Sequence, residues 1–289
     1  MTAENIKSYI KERFRMNVVG IADAALLNDE PAGKRPADLL PGAKTVIVFG
    51  KKQIDGAVST VVRKFEDGRR NAFGSYQAYG AGQASDLLMI NANYEISRWL
   101  EKTWDVVAAP VPCGCVSIQN CVPEDPTLPL TAGGKKLELP FNISRAAELA
   151  GLGQMGWNGF FLTPEYGPRI LMSAIITTAE LECDAPYSGK RLCDPVSCGV
   201  CIAKCPAKAI PAADVPNAEI NAKRCTVATC GFTKKYGRKD LVSSEEPSDD
   251  ELRWAFENSS KDFPDHVRKS HCDVCAVFCP VGRQVSERK

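Results

Sequence analysis

Long apolar runs, a surplus of either charge and histidine are all scarce in this sequence. No apolar stretch approaches the roughly 20 residues that span a bilayer. The start, Met1-Thr-Ala-Glu-Asn-Ile-Lys-Ser-Tyr-Ile10, shows no apolar signal core, twin-arginine pair or lipidation motif. A cytoplasmic protein without a membrane partner is therefore expected. The 36 basic and 35 acidic residues leave a net charge of +1. Nothing in that balance steers toward nucleic acid, so a nucleic-acid partner is not expected, and no acidic block points to disorder. His266 and His271 are the only histidines, and both lie beside a cysteine motif near the C-terminus. A histidine ligand for a cofactor held elsewhere is not expected. What remains is an ordinary globular composition over 289 residues, long enough for a sizeable core and two domains.

Cysteine is what is present in excess. Of the 13, three lie before residue 180 (Cys113, Cys115, Cys121) and ten lie between Cys183 and Cys279. A secreted disulfide scaffold is usually shorter and exported, whereas clustered thiols in a reducing compartment more often hold metal.

The first 180 residues read as mixed helix and strand. Ile6, Ile10 and Phe14 recur at helical spacing behind Thr2, a candidate N-cap. Val18–Ala22 and Thr45–Phe49 are short β-branched runs that predict buried strands, with Leu39–Lys44 as a turn between them. A helix is predicted over Ser85–Leu100 with Leu88, Ala92, Ile96 and Leu100 on its inner face. A strand follows within Asp105–Pro112, and residues 110–136 form a long Pro-rich loop. A short helix over Ser144–Ala150, a Gly-rich turn and a strand at Arg169–Thr177 complete this half. From residue 183 the chain changes to regularly spaced cysteines, interrupted by a polar insertion at 236–265. Ser248-x-x-Glu251 in that insertion is a capping box opening a short helix.

The cysteine motifs are Cys193-x4-Cys198-x2-Cys201-x3-Cys205-Pro206 and Cys272-x2-Cys275-x3-Cys279-Pro280. An x2 step aims consecutive thiolates at one iron–sulfur cluster, and an x3 step sends the next cysteine to the other cluster. By that rule Cys193, Cys198, Cys201 and Cys279 hold one four-iron, four-sulfur (4Fe-4S) cluster, and Cys205, Cys272 and Cys275 hold the second. Lys269 stands where the second motif's first cysteine would fall, so Cys225 or Cys230 supplies the eighth ligand, with Cys225 preferred. Zinc also takes Cys-x2-Cys pairs, but two crossing Cys-Pro motifs favour iron–sulfur. Cys183 reads as an ordinary thiol, and the three cysteines of the Pro-rich loop read as structural.

The segment Arg145-Ala-Ala-Glu-Leu-Ala-Gly-Leu-Gly-Gln-Met-Gly-Trp-Asn-Gly159 leads into Leu162-Thr-Pro-Glu-Tyr-Gly-Pro-Arg-Ile170. It resembles the core signature of the epoxyqueuosine reductase and reductive dehalogenase superfamily, as does Leu39–Val48. The resemblance runs from about residue 35 to Pro280. It implies an α/β (α+β) architecture: a nitroreductase-like, cobalamin-binding domain over 1–182 and a two-cluster ferredoxin-like domain over 183–289.

The same resemblance implies a cobalamin-dependent oxidoreductase in which two 4Fe-4S clusters feed electrons to the corrinoid. The alternative is a non-catalytic corrinoid-binding, corrinoid-reducing or electron-transfer protein. On this reading Gly153, Met155, Gly156, Trp157, Asn158, Tyr166 and Gly167 adjoin the cofactor, and Tyr79, Trp157 and Tyr166 are the catalytic candidates. Gly151, Gly153, Gly156 and Gly159 would let backbone approach a flat ligand closely; shaping a turn is their simpler role. Both catalytic branches of the superfamily carry a basic residue where this chain has Trp157, and the Asp-Tyr-His phrase of the epoxyqueuosine reductases is not evident. The expected partners are a small-molecule substrate or a corrinoid protein, and an external electron donor such as ferredoxin or flavodoxin.

Overall fold

The computed structural model describes residues 2–67, 80, 84–111, 141–215, 219–229, 247–248 and 272–282. The Thr2 hydroxyl accepts from the Asn5 amide at 3.3 Å and so opens α1 (Ala3–Phe14) as the sequence predicts. Glu4 in its first turn and Lys11 and Arg13 in its last complement the helix dipole. Ile6 and Ile10 are fully buried.

The chain continues through β1 (Val18–Asp23), α2 (Pro36–Leu39), β2 (Thr45–Lys52) and α3 (Asp55–Asp67). Then come α4 (Ala84–Trp104), β3 (Ala108–Pro110), α5 (Ile143–Leu149), the two-residue strands β4 (Gln154–Met155) and β5 (Phe161–Leu162), and β6 (Ile170–Thr177). In the cysteine-rich region the described helices are short: α6 (Pro195–Cys198), α7 (Val200–Lys204), α8 (Ala222–Thr229) and α9 (Val274–Val277).

β1, β2, β6 and β3 form one antiparallel sheet in that spatial order. Alternate residues serve opposite faces. Val19, Ile21, Ile47, Phe49, Leu171 and Ile175 pack with α1 and α4, while Ala22, Val46, Val48, Met172, Ala174 and Ile176 pack with α5. Because helices cover both faces, β2 and β6 read as unbroken apolar runs rather than alternating ones. Phe49 is fully buried in the middle of β2, paired with Val19 and Ser173. Phe49→Ala is expected to cost about 3–5 kcal/mol through lost contact and cavity. The shift of the urea midpoint measures this, and a loss under about 1 kcal/mol would contradict the packing.

One sequence expectation needs correcting. On α4 it is Met89, not Leu88, that joins Ala92, Ile96 and Leu100 in the core; Leu88 is 56% exposed. At 3.6 residues per turn, twelve steps from Leu88 to Leu100 accumulate about 120° of drift, against about 20° for the eleven steps from Met89.

The free edge of β1 is closed by one residue from far along the chain. The Asp184 N–H donates to the Ile21 carbonyl (2.8 Å), and its carboxylate accepts from the Ile21 N–H (2.8 Å) and from Lys7 (2.5 Å). This protects the edge and starts the cysteine-rich segment against the sheet. The Pro-rich loop from 112, most of the insertion at 236–265, its helix, Tyr79, Lys269, Cys113, Cys115, Cys121, Cys230 and both histidines lie outside the described residues. Among the described residues no helix is long and apolar enough to cross a membrane.

Candidate cluster sites

Gly199 (φ 58°) joins α6 to α7, a kink in the left-handed region between Cys198 and Cys201. Asp194 opens α6 by accepting from the Val196 amide (3.2 Å) and the Ser197 hydroxyl (2.8 Å), and the latter bond holds its carboxyl below the ordinary range. In the second motif the backbone of Asp273 is left-handed (φ 48°) at the start of α9.

The thiols interact in two sets. Burial pushes Cys201 up to about 11, and the sulfurs of Cys193, Cys279 and Cys198 push the same way, against a backbone hydrogen bond from Ile202. Cys279 is raised by burial, opposed by the Val281 amide and the Arg169 guanidinium, with Cys193 and Cys198 again adding to the rise. Cys275 is raised well above the usual thiol range by burial, then by Cys272, Cys225 and Cys205, and also by Asp273. Cys201 and Cys279 thus share one set with Cys193 and Cys198, while Cys275 falls in another with Cys205, Cys225 and Cys272.

Cys272, Cys275 and Cys279 are buried, Cys198 is exposed and the remaining four are intermediate. Four soft sulfur donors with a partly dry surround fit an iron–sulfur group. The Trp157 amide donates to the Cys193 sulfur (3.3 Å) and the Ala209 amide to that of Cys205 (3.2 Å), as such a group requires of its outer contacts. Among the described residues no three Cys, His, Asp or Glu side chains converge at single-ion distance. Quartets in electrostatic contact are compatible with that, because a cubane gives each thiolate its own iron and spreads them wider than one tetrahedral zinc does. Cys183 is exposed, and its charged neighbours are Asp23, Asp184 and Lys7.

The residues named for the corrinoid form a wall against these thiols. β4 and β5 make a tight hairpin, and a Cβ on Gly153 would stand 1.9 Å from the Leu162 carbonyl oxygen. A Cβ on Gly156 would stand 2.7 Å from Asn158 Oδ1 and 2.9 Å from the Leu162 side chain. The Trp157 indole donates to the Pro211 carbonyl at 3.0 Å, and its ring packs with Cys201, Ile202 and Cys205 around Phe160, Ile210, Cys275 and Ala276. Buried Asn158 donates to the Cys275 carbonyl (3.2 Å) and accepts from the Phe160 amide (3.2 Å). Tyr166 accepts from Asn17 at its hydroxyl (3.4 Å), and Gly167 lies against the Val281 backbone. Met155 is 42% exposed. These groups are committed to the chain itself, Met155 excepted, so they do not by themselves make a fit for a corrinoid. A cavity of about 590 Å³ opens elsewhere, by Asp23, Asn28, Lys44, Thr45, Glu180 and Cys183, and none of the corrinoid residues lines it.

Sequence reasoning passed over Arg169. Buried at the entry to β6, it donates to the carbonyls of Ala276 (3.3 Å), Cys279 (2.9 Å) and Val281 (2.5 Å). A guanidinium placed directly before an eight-residue buried strand is the signal that could have revealed it.

No family model matches the chain. It is 30% identical over 137 residues to epoxyqueuosine reductase of Listeria monocytogenes, a match covering 47% of this chain and 28% of that enzyme. It is 34% identical over 89 residues to tetrachloroethene reductive dehalogenase of Dehalobacter restrictus, covering 30% of this chain and 16% of the relative. The match therefore spans well under two thirds of the length of either. Among solved structures, epoxyqueuosine reductase from Streptococcus thermophilus superposes with a TM-score of 0.54 at 15% identity, covering 99% of this chain and 67% of the other. An epoxyqueuosine reductase solved with a modified tRNA-Tyr stem loop gives 0.54 at 17% identity, covering 97% and 65%. The structural likeness shows a shared mixed helix-and-strand fold. Together with the sequence matches it fits a divergent member of the epoxyqueuosine reductase and reductive dehalogenase superfamily.

Proposed function

We propose that this chain is an iron–sulfur reductase in which two 4Fe-4S clusters pass electrons toward a corrinoid. The cluster reading is carried by the spacing of the two Cys-Pro motifs together with the packing of Cys201, Cys205 and Cys275 around one small core, with amide donors on the Cys193 and Cys205 sulfurs; the influences on Cys201, Cys275 and Cys279 divide along the same two sets. Cys193, Cys198, Cys201 and Cys279 would hold one cluster, and Cys205, Cys225, Cys272 and Cys275 the other. When bound, such clusters store and release single electrons. The protein's own work is to hold the thiolates and keep water out. Phe160, Ile210 and Ala276 pack with Cys201, Cys205 and Cys275, Asn158 and Arg169 hold the carbonyls of the second ligand loop, and the Trp157 and Ala209 amides donate to sulfur. The division near residue 182 belongs to the same proposal.

Oxidoreductase chemistry is supported by the names of the relatives. The corrinoid rests on sequence resemblance alone. The second reading, a corrinoid handler or electron-transfer protein without its own substrate, is favoured by Trp157. The residue standing in for the superfamily's base is uncharged, and its one side-chain N–H is spent on the Pro211 carbonyl. An external low-potential donor of the ferredoxin or flavodoxin class, and a small-molecule substrate or corrinoid protein, remain the proposed partners in the cytoplasm. A nucleic-acid partner, not expected from net charge, joins these proposed partners, because one structural relative was solved with a tRNA stem loop. Net charge reports the whole surface and is blind to a local binding patch.

Anaerobically purified protein is expected to contain about eight iron and eight acid-labile sulfide per chain. Stoichiometric zinc without sulfide would overturn the reading. After incubation with hydroxocobalamin and desalting, retained corrin bands are expected; protein that keeps its clusters and no corrin is an electron carrier instead.

A further inference from the structure

The helix α4 is apolar on two opposite faces. Met89, Ala92, Ile96 and Leu100 fill the core. Leu87, Ile90 and Tyr94 recur at i, i+3 and i+7, within about 60° of one another and turned away from that core. They are 66%, 56% and 61% exposed, and Leu88 flanks them. A helix face that meets only water carries polar or charged residues at such positions, whereas this spacing of large apolar side chains belongs to a packed face. Other exposed apolar side chains among the described residues, such as Leu26, Ile54, Val107 and Val196, come from separate segments and need no partner. The α4 patch exposes on the order of 400 Å² of apolar surface, a size that on a monomer is often functional. Beyond Tyr94 the helix carries charge of both signs. Arg98 pairs with Glu95 of its own helix (3.6 Å), and Glu101 and Lys102 follow in the last turn. Their charges cancel, so this end neither draws a partner of one sign nor repels a copy of itself.

We propose that this face is the contact between two copies of the chain, a two-fold symmetric dimer in which α4 crosses its counterpart antiparallel at Ile90 and Asn91. Symmetry and area name the occupant. Around an axis between Ile90 and Asn91, Leu87 and Tyr94 stand equally far on either side. Each Leu87 therefore meets the Tyr94 of the other copy, and the two Ile90 side chains adjoin the axis, as a self-complementary interface requires. The apolar patch with its polar rim of Asn91, Glu95 and Arg98 comes to about 600 Å² per copy, the lower limit for specific association. A reversible dimer with a micromolar dissociation constant is expected from so small a contact. The dimer is independent of the cluster and corrinoid readings.

Sedimentation equilibrium of the whole, anaerobically purified protein over a concentration series tests this. The mass should rise from that of one chain toward that of two across the micromolar range. Ile90→Glu and Tyr94→Glu should each raise the dissociation constant by roughly 100-fold or more, because a charge is then buried without a partner. Iron content and the melting temperature of dilute protein should not change, since both side chains are exposed in the single chain. Val196→Glu, at an exposed apolar residue of α6, should leave the dimer intact. Benzoylphenylalanine in place of Tyr94 should photocrosslink to α4 of the other copy, at the turn around Leu87; this result decides the matter if the glutamate variants aggregate. A monomer at every concentration, a dimer indifferent to both glutamate variants, or a crosslink outside α4 overturns the inference. A monomer that sediments with phosphatidylglycerol vesicles and is released by Ile90→Glu assigns the face to a membrane surface, and equally defeats the dimer.

Discussion

Cys275→Ala is expected to strip at least half of the iron, leaving about four per chain or fewer, and to leave much of the protein insoluble. Cys275 is buried in contact with the core formed by Phe160, Ile210 and Ala276, and the thiols of Cys272, Cys225 and Cys205 act on it. Removing one sulfur leaves three thiolates for four irons. Because metal binding is coupled to folding in small metal-bound regions, the lost ligand is also lost stability. Buried thiols that burial and their neighbours keep protonated cannot hold themselves as a charged quartet. Cys201→Ala should have the corresponding effect on the other quartet. Cys183→Ala, at an exposed thiol among Asp23, Asp184 and Lys7, should keep about eight iron. Iron and sulfide assays on the soluble fraction decide the matter. Full iron content in Cys275→Ala would remove this residue from any cluster.

Gly167→Ala should be as damaging, without touching a ligand. Gly167 has φ +56°, and a Cβ there would lie 2.0 Å from the Val281 carbonyl oxygen, with backbone on both sides. A Cβ on Gly282 (φ +65°) would meet the same contact from the other chain segment, 2.1 Å from the Gly167 nitrogen. Left-handed backbone alone costs a non-glycine residue about 1–2 kcal/mol. Relieving the clash would also part the Thr163–Gly167 bridge and draw Val281 from Arg169. A total above about 4 kcal/mol is therefore expected, in the range reserved for severe substitutions. The loop so displaced carries Cys272 and Cys275 for one quartet and Cys279 for the other, so iron should fall in both. Gly33→Ala is the control: its φ is +87° but nothing lies within 4 Å of the added carbon. It should show the cost of backbone strain alone, as a small fall in melting temperature with full iron content. Gly167→Ala behaving like Gly33→Ala would show that the close approach of the two segments is dispensable.

The sequence by itself determined the features that arise within one turn or one strand. Thr2 and the Ile6–Ile10 spacing specify α1, β-branched runs specify β1 and β2, and Leu39–Lys44 specifies the turn between them, because capping, periodicity and steric preference act over a few residues. The superfamily resemblance was legible for a similar reason, carried by a continuous stretch from Arg145 to Ile170. Cysteine spacing named eight candidate ligands and a rule for dividing them. Which side chains meet was decided by tertiary structure alone. Asp184 closes the edge of β1 from 163 residues away, and Arg169 reaches the Ala276, Cys279 and Val281 carbonyls across 107 to 112 residues. Trp157 turns its indole to Pro211, and the choice of Met89 over Leu88 follows the accumulated rotation of a long helix. Such contacts have no local signature, because they depend on how separately specified elements pack and on which polar groups that packing buries and must then satisfy.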